Sequence, residues 1–460
     1  MSNPVIHHPA SYRDPSGFVF VKNKIIYRQI NEVFKEHFDK FINSGYYQHL
    51  VSGGLLIAHE EIKENLSGAT GWYITLKPQS IPFISYPYEW SFDMLKDAAL
   101  LTLRLAKEGI LFGMMLKDAT PYNIQWLNGK LVFIDTLSFE KYDEEKPWIA
   151  YRQFCENFLA PLLLMHYSKN ALPEMQLAWP DGIPLAITKS LLPVRSKFSL
   201  STYLHIHMHN RLSSNKPIKK ESGIKFSKEK LIRLLSSLEI RIKSLQLTPQ
   251  KTNWSGYYND EPERNDYFRE KTRIIEQWLN RLQGIHIAAD LGANDGTISK
   301  LLAAKNIFTI ATDADPYCIN NLYDGIKKSK EKNLQPLIMD LANPSPAAGV
   351  NNEERSSFSE RANFDLVLAL ALLHHLAIGK NIPFERIAGF IQHTAKNLII
   401  EFIPKEDEKV QLMLSRKKDI YSNYHEIAFV KAFEKYYAVV DRQMIPGSGR
   451  TLFLMKRNEN

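Results

Sequence analysis

The feature that most constrains this chain is the run Ile285-His-Ile-Ala-Ala-Asp290-Leu-Gly292-Ala-Asn294-Asp295-Gly296-Thr297. A β-branched, apolar stretch passes through a Gly-bearing turn straight into a helical pattern, Ile298–Ala304. Such a turn lets backbone approach a ligand and presents the first N–H groups of the helix to it. The same grammar repeats downstream in FTIATDAD, LQPLIMD, FDLVLALA and NLIIEFI, with helical patterns between these runs. Strands alternating with helices predict a doubly wound, parallel α/β sheet of Rossmann type. Taken alone, the turn reads equally as an ordinary strand-to-helix connection.

A dinucleotide fingerprint requires G-x-G-x-x-G. Here Asn294 and Thr297 stand where its second and third glycines belong, so a nicotinamide or flavin site fits poorly. Asn294 is a tolerable exchange in itself, because Asn visits left-handed backbone better than most residues after Gly. The segment resembles the first motif of class I S-adenosylmethionine-dependent methyltransferases, acidic-x-Gly-x-Gly-x-Gly, and the order of the following strand ends extends the resemblance from about Trp254 to Arg457. It implies S-adenosyl-L-methionine as cofactor, held by Asp290, Gly292, Asn294, Gly296, Asp313 and Asp340. Asp313 falls at the ribose-binding position and Asp340 at the position that approaches the adenine amino group. Asp365 begins the fourth strand, and AVVDRQMI with GRTLFLMKR resembles the antiparallel last pair of the family's sheet.

The acceptor of a methyl group should sit outside the carboxyl ends of the strands. His374 and His375, just after strand four, are candidate bases, since imidazole titrates near ~6.5. Glu401 is a further candidate. Packing beneath the cofactor explains the histidines equally, and a solvated loop carboxylate explains Glu401. No Asn/Asp-Pro-Pro-aromatic tetrapeptide follows strand four, and neither Cys155 nor Cys318 lies where a pyrimidine-C5 enzyme needs its nucleophile. Oxygen or amine acceptors remain, small or macromolecular.

The N-terminal half carries a second constellation. Leu116-Lys-Asp118-Ala-Thr-Pro-Tyr-Asn123 is followed by Gly129 and Phe133-Ile-Asp135. This resembles the catalytic loop and metal loop of protein and small-molecule kinases. The resemblance implies an α+β, kinase-like domain with Asp118 as proton acceptor, Asn123 and Asp135 as magnesium ligands, and ATP with Mg2+ as a second ligand set. The chain departs from that pattern. It has no Gly-rich phosphate loop, Arg28 replaces the expected Lys, and neither His nor Arg precedes Asp118. Arg is not equivalent to Lys at such a position. A structural hairpin with Asp118 and Asn123 as turn residues is the plainer reading.

Composition bounds the rest. The chain has 460 residues, 44% hydrophobic and 23% charged, enough for two or three globular domains. We expect residues 1–167 as the α+β, kinase-like or acceptor-binding domain, 168–253 as a Pro-containing, basic connecting region, and 254–460 as the methyltransferase domain. Two cysteines suit a reducing compartment, and MSNPVIHHPASYRDP has no apolar core, so a cytoplasmic location is expected. The greasiest runs, Phe158–Met165 and Phe364–Ala377, fall short of the ~20 residues that span a membrane.

Twelve Lys or Arg residues against Glu221, Glu229 and Glu239 give residues 195–250 a charge of +9, so the rest of the chain, with a total of +8, sums to −1. That block is either a solvated face or a nucleic-acid surface, which keeps an RNA methyltransferase as an alternative. A second alternative is a phosphotransferase, or nucleotide-binding pseudokinase, fused to a methyltransferase-like domain. His205-Ile-His207-Met-His209 suggests three imidazoles on one face of a strand, but no fourth ligand is near and no metal site is expected. The whole chain is similar to a bacterial family of long methyltransferases that includes a rhizobial nodulation-associated protein.

Overall fold

A computed structural model describes residues 5–208, 227–250, 262–415 and 418–459. The chain divides into two compact units, Met1–Thr248 with Ala348–Arg355, and Pro249–Ala347 with Ser356–Asn460.

In the first unit the strands are β1 (Ile6–His7), β2 (Gly17–Lys22), β3 (Ile25–Asn31), β4 (His59–Ile62) and β5 (Trp72–Pro78). They form an antiparallel sheet in the order β1-β2-β3-β5-β4. Helices α1 (Lys35–Asn43) and α2 (Tyr46–Ser52) lie between β3 and β4 in the chain. The run GGLLIA, β-rich in composition, forms the turn that ends α2, with Leu56 bridging to Phe133. Its two glycines at 53 and 54 favour that stop over extension.

Helix α3 (Phe92–Leu111) starts at Ser91, whose hydroxyl accepts from the Met94 N–H at 3.4 Å. Two short antiparallel pairs follow, β6 (Met114–Leu116) with β9 (Phe139–Lys141), and β7 (Ile124–Leu127) with β8 (Lys130–Phe133).

The expected connecting region does not stand apart. Helix α4 (Lys228–Ser244) buries Leu231, Leu235, Leu238 and Ile242 and packs on α3, and Lys107 of α3 pairs with Glu239 at 2.8 Å. A leucine every third or fourth residue makes a stripe that needs a partner, so the segment folds into the first unit. Ala348–Arg355 also belongs to this unit; Glu354 accepts from Tyr12 and Arg13 at 2.5 and 2.6 Å.

In the second unit α5 (Pro262–Arg281) precedes a seven-stranded sheet. Its strands are β10 (Ile287–Leu291), β11 (Phe308–Asp313), β12 (Leu334–Ile338), β13 (Phe364–Ala369), β14 (Ala395–Phe402), β15 (Tyr437–Met444) and β16 (Thr451–Arg457). The order is β12-β11-β10-β13-β14-β16-β15, parallel through β14 and antiparallel in the last pairs. The doubly wound sheet with an antiparallel end is therefore as expected. Strands β10 to β14 are almost wholly buried, which is why they read as apolar runs without alternation. Pro336 sits in β12, an edge strand, where its missing N–H costs no ladder bond on the open side. One face is covered by Ile274, Ile275 and Trp278 of α5 together with Leu302. Strand order reverses between β10 and β13, and ligands of open α/β sheets bind outside the carboxyl ends of strands at such a point.

Gly296 has φ +72, and a Cβ there would lie 2.6 Å from Leu322 Cδ1. Gly284 has φ +70 with open space around it. We expect Gly296→Ala to lower unfolding free energy by about 2–3 kcal/mol and Gly284→Ala by about 1 kcal/mol. Urea denaturation of the two variants checks this; equal losses would show that contact with Leu322 is not limiting.

Candidate functional site

At the carboxyl end of β10 the backbone turns through three left-handed residues, Gly292 (φ 80), Asn294 (φ 52) and Gly296 (φ 72). Asn294 thus takes the conformation that glycine would otherwise supply. The N–H groups of Gly292 and Ala293 both donate to the Thr312 carbonyl at 2.8 Å, strapping the turn to β11. Helix α6 (Thr297–Ala304) leaves the turn, and helix α7 (Pro316–Ser329) follows β11.

Asp313 ends β11, and its two oxygens are divided between backbone donors. Oδ2 accepts from Asn294 N–H and Oδ1 from Asp315 N–H, each at 2.8 Å. Burial pushes its carboxyl up, and these two N–H groups oppose that shift. The Ala314 N–H also favours the ionised form, so of the four acceptor sites of this carboxylate at least one is left over. Asp290 is buried and accepts from Ser299 Oγ at 2.6 Å; burial raises its carboxyl to about 6 against the Ser299 hydrogen bond and the charge of Lys271. Asp340 accepts from Ala342 N–H at 2.9 Å and pairs with Lys380 at 3.4 Å; the Met339 N–H donates to the Asp313 carbonyl, which holds that loop beside β11.

The structure thus brings Asp290, Gly292, Asn294, Gly296, Asp313 and Asp340 to one rim. Asp315 joins them, and its sequence signal was only that of a helix start. Its Oδ1 caps α7 through Tyr317 and Cys318 N–H, while its buried Oδ2 has no hydrogen-bond partner among the described residues. Asp365 lies at the opposite end, where it accepts from His286 and Ile287 N–H.

Across the switch point, His374 and His375 follow β13. His374 is 1% exposed and its Nδ1 has no hydrogen-bond partner among the described residues. Burial, then His375, Arg450 and Lys271, hold it well below the usual imidazole range, so it is neutral. Burial lowers His375 to about 4. Glu401 is not the solvated loop carboxylate that sequence allowed. It is 0% exposed and accepts from Tyr267 Oη, from Lys271 Nζ at 2.7 Å and from Ala371 N–H at 2.9 Å. Burial raises its carboxyl, but Lys271 and Arg450 outweigh that and hold it below the usual range. With its oxygens committed, Glu401 cannot serve as a base. Lys271 and Arg450 carried no sequence signal, since they meet Glu401 from 130 and 49 positions away.

In the first unit Asp118, Asn123 and Asp135 do come together, but not as an open cation cradle. Asp135 Oδ1 takes the Arg28 guanidinium and the Leu137 N–H (3.3 Å); Oδ2 takes Ser138 Oγ at 2.5 Å. Asn123 Nδ2 donates to that same Ser138 hydroxyl at 3.2 Å. Burial, then the Asp135 charge, raise Asp118 to about 6. Lys117 is spent on Asp14 at 2.9 Å. The Asp135 side chain is satisfied by protein donors, so this set does not fit a resident Mg2+ as it stands.

Among the described residues no group of three or more His, Cys, Asp or Glu could hold a metal ion. His205 and His207 lie on a helical turn, not a strand; His205 bonds Tyr151 Oη and Ser237 Oγ, and His207 bonds Ser196 Oγ. His209 lies outside the described residues, as do Trp254–Tyr258 and Arg211, Lys216, Lys219, Lys220 and Lys225 of the basic block. Of the block's described members, Arg195 and Arg241 lie over the Tyr167 ring, and Lys243 pairs with Glu239. No described helix is long and apolar enough to cross a membrane.

The Asp290 pKa has a consequence for stability. Burial holds its folded value at about 6, above the roughly 3.9 of an ordinary aspartate. The ionised form is therefore penalised in the native state. The penalty is absent below pH 4, grows between pH 4 and 6, and is constant above. We expect Asp290→Asn to gain midpoint temperature over the parent across that window, reaching on the order of 2–3 kcal/mol near pH 7. Thermal melts of both proteins from pH 4 to 8 check it; a pH-independent difference contradicts it.

No family model matches the chain. Among solved structures, magnesium protoporphyrin IX methyltransferase from Synechocystis PCC 6803 with bound SAH is 16% identical, with 45% of this chain and 93% of that one covered and a TM-score of 0.32. The N-methyltransferase NodS from Bradyrhizobium japonicum WM9 is 13% identical, with 42% and 98% covered and a TM-score of 0.32. The nodulation protein NoeA of Rhizobium meliloti (strain 1021) is 33% identical over 459 residues, 98% of this chain and 96% of that protein. Identity of that level, sustained through both units, makes the chain a member of the NoeA nodulation-protein family.

Proposed function

We propose that the second unit is an S-adenosyl-L-methionine-dependent methyltransferase acting on an oxygen or amine acceptor. The observation that carries the reading is Asp313: a largely buried carboxylate held by backbone N–H groups with acceptor capacity left over, beside a left-handed turn, at the strand-order switch of a doubly wound sheet. The electrostatics favour a cationic ligand. Asp290, Asp295, Asp313, Asp315 and Asp340 gather at this rim, so a phosphate placed on the turn would face like charge.

When bound, S-adenosyl-L-methionine supplies a methyl group on a sulfonium. The chain's own residues would hold and align it. Asp313 would take ribose hydroxyl protons, Asp340 would approach the adenine, and the backbone of residues 292–296 would lie against the nucleoside. His374, neutral and with an unpartnered Nδ1, is the group assigned to the acceptor. Its lowered pKa suits it to accept a hydrogen bond and orient the nucleophile more than to store a proton.

Asp313→Ala removes two charge-assisted acceptors, each worth ~1.5–3 kcal/mol, and should weaken S-adenosyl-L-methionine binding at least tenfold to a hundredfold by calorimetry on the full chain. Unchanged affinity, or no uptake by the parent protein, sinks the proposal.

We assign the first unit the selection of the acceptor, as a binding module and not a phosphotransferase. What supports this is Arg28, whose guanidinium occupies the carboxylate that a magnesium ion would need. Arg28→Ala should therefore create Mn2+ binding that the parent lacks, read as loss of the free-ion signal in electron paramagnetic resonance. Mn2+ uptake by the parent that disappears in Asp135→Ala would restore the phosphotransferase reading. An inert Arg28→Ala protein would show that something other than Arg28 keeps the cation out.

A further inference from the structure

The buried cluster around Glu401 is larger than one ion pair. Lys271 Nζ and Tyr267 Oη, one turn apart on α5, both reach the carboxylate, and Arg450 Nη1 lies 3.8 Å from its Oε1. Arg450 also donates to Tyr267 Oη at 3.0 Å and, through Nε, to Asp407 Oδ2 at 2.8 Å. Asp407 in turn caps helix α8 (Glu408–Leu414). Two cations and two carboxylates close the charge balance within the protein, so the cluster needs no outside ion.

One bond of the cluster does something packing alone does not require. Glu401 Oε2 accepts from the N–H of Ala371, two residues beyond the end of β13. Ala371 has φ +50, a left-handed backbone that an alanine disfavours. The next residue, Leu372, faces the first turn of the cofactor motif. A Cβ built on Gly292 would lie 3.4 Å from Leu372 Cδ1 and 3.8 Å from its Cβ. The chain of contacts therefore runs from α5 and β16, through Glu401, to Ala371, Leu372 and the Gly292 turn.

We propose that Glu401 is a positioning residue for nucleoside binding: it holds Ala371 left-handed, and so seats Leu372 as the wall behind Gly292. The inference rests on the crevice reading above. It differs from a purely structural role in one respect. Glycine at 371 adopts the same backbone without help, so it can replace the hydrogen bond for binding but not for stability.

The test uses the full chain and S-adenosylhomocysteine as calorimetric probe, with urea denaturation in parallel. Glu401→Leu, which carries no acceptor for the Ala371 N–H, should lower the denaturation midpoint and, under conditions where the protein is folded, raise Kd about tenfold, the scale of the left-handed penalty for an L-residue. Adding Ala371→Gly should return Kd to within about threefold of the parent while the midpoint stays low. If Glu401→Leu does not fold, Leu372→Ala, which leaves the cluster intact, should still raise Kd several-fold. A destabilised Glu401→Leu with parental affinity, a double variant that recovers nothing, or a silent Leu372→Ala each overturns the inference. Absence of uptake by the parent overturns the crevice reading and the inference with it, a result distinct from any of these.

Discussion

One carboxylate organises the candidate site. Asp313 sits where β11 ends, and the N–H groups of Asn294 and Asp315 converge on it from the two turns that flank the crevice. Without that acceptor the left-handed turn after β10 would have an unsatisfied donor at its centre, and the loop into α7 would lose its anchor. The geometry depends on the parallel pairing of β10 with β11 and of β10 with β13, since only that order brings the ends of separate strands to one rim. Energetically the rim is a concentration of negative charge in a partly buried place. It is tolerated because Asp313, Asp315 and Asp290 each accept hydrogen bonds from backbone or hydroxyl donors.

The far side of the switch point is built on the opposite solution. Glu401 is neutralised outright by Lys271 and Arg450, inside the protein and away from water. Removing one partner of such a cluster costs ~3–5 kcal/mol, because it leaves an uncompensated buried charge. The two sides therefore divide the work. In the proposed function the Asp313 carboxylate is left to take a ligand, while the closed network at Glu401 fixes the loop that bears His374.

Much of the second unit was legible because a parallel sheet announces itself locally. Each strand is rich in apolar residues, and the carboxyl ends of β10, β11 and β12 are punctuated by Gly292, Asp313 and Asp340. Asn294 was readable as a stand-in for glycine for the same local reason, and its φ of 52 is the outcome. What could not be read was non-local. Glu401 looks like any carboxylate near a strand end until Lys271 and Arg450 arrive from distant parts of the chain. The HxHxH run alternates in sequence as a strand would, yet its described members, His205 and His207, sit on a helical turn where they find separate hydroxyl partners. In the first unit, the spacing of Asp118, Asn123 and Asp135 did forecast their convergence. Spacing carries no word on Arg28, whose arrival on Asp135 depends on the pairing of β2, β3 and β5.

The proposed function stands or falls on a methyl-donating nucleoside lying across the carboxyl ends of β10 and β11. Hydrogen–deuterium exchange of the full chain with and without S-adenosylhomocysteine reads that contact amide by amide. Slowed exchange is expected at the amides of residues 292–297 and 313–318, with the loop around Ala371 slowed in step. No change at those amides, or protection confined to the first unit, would contradict it.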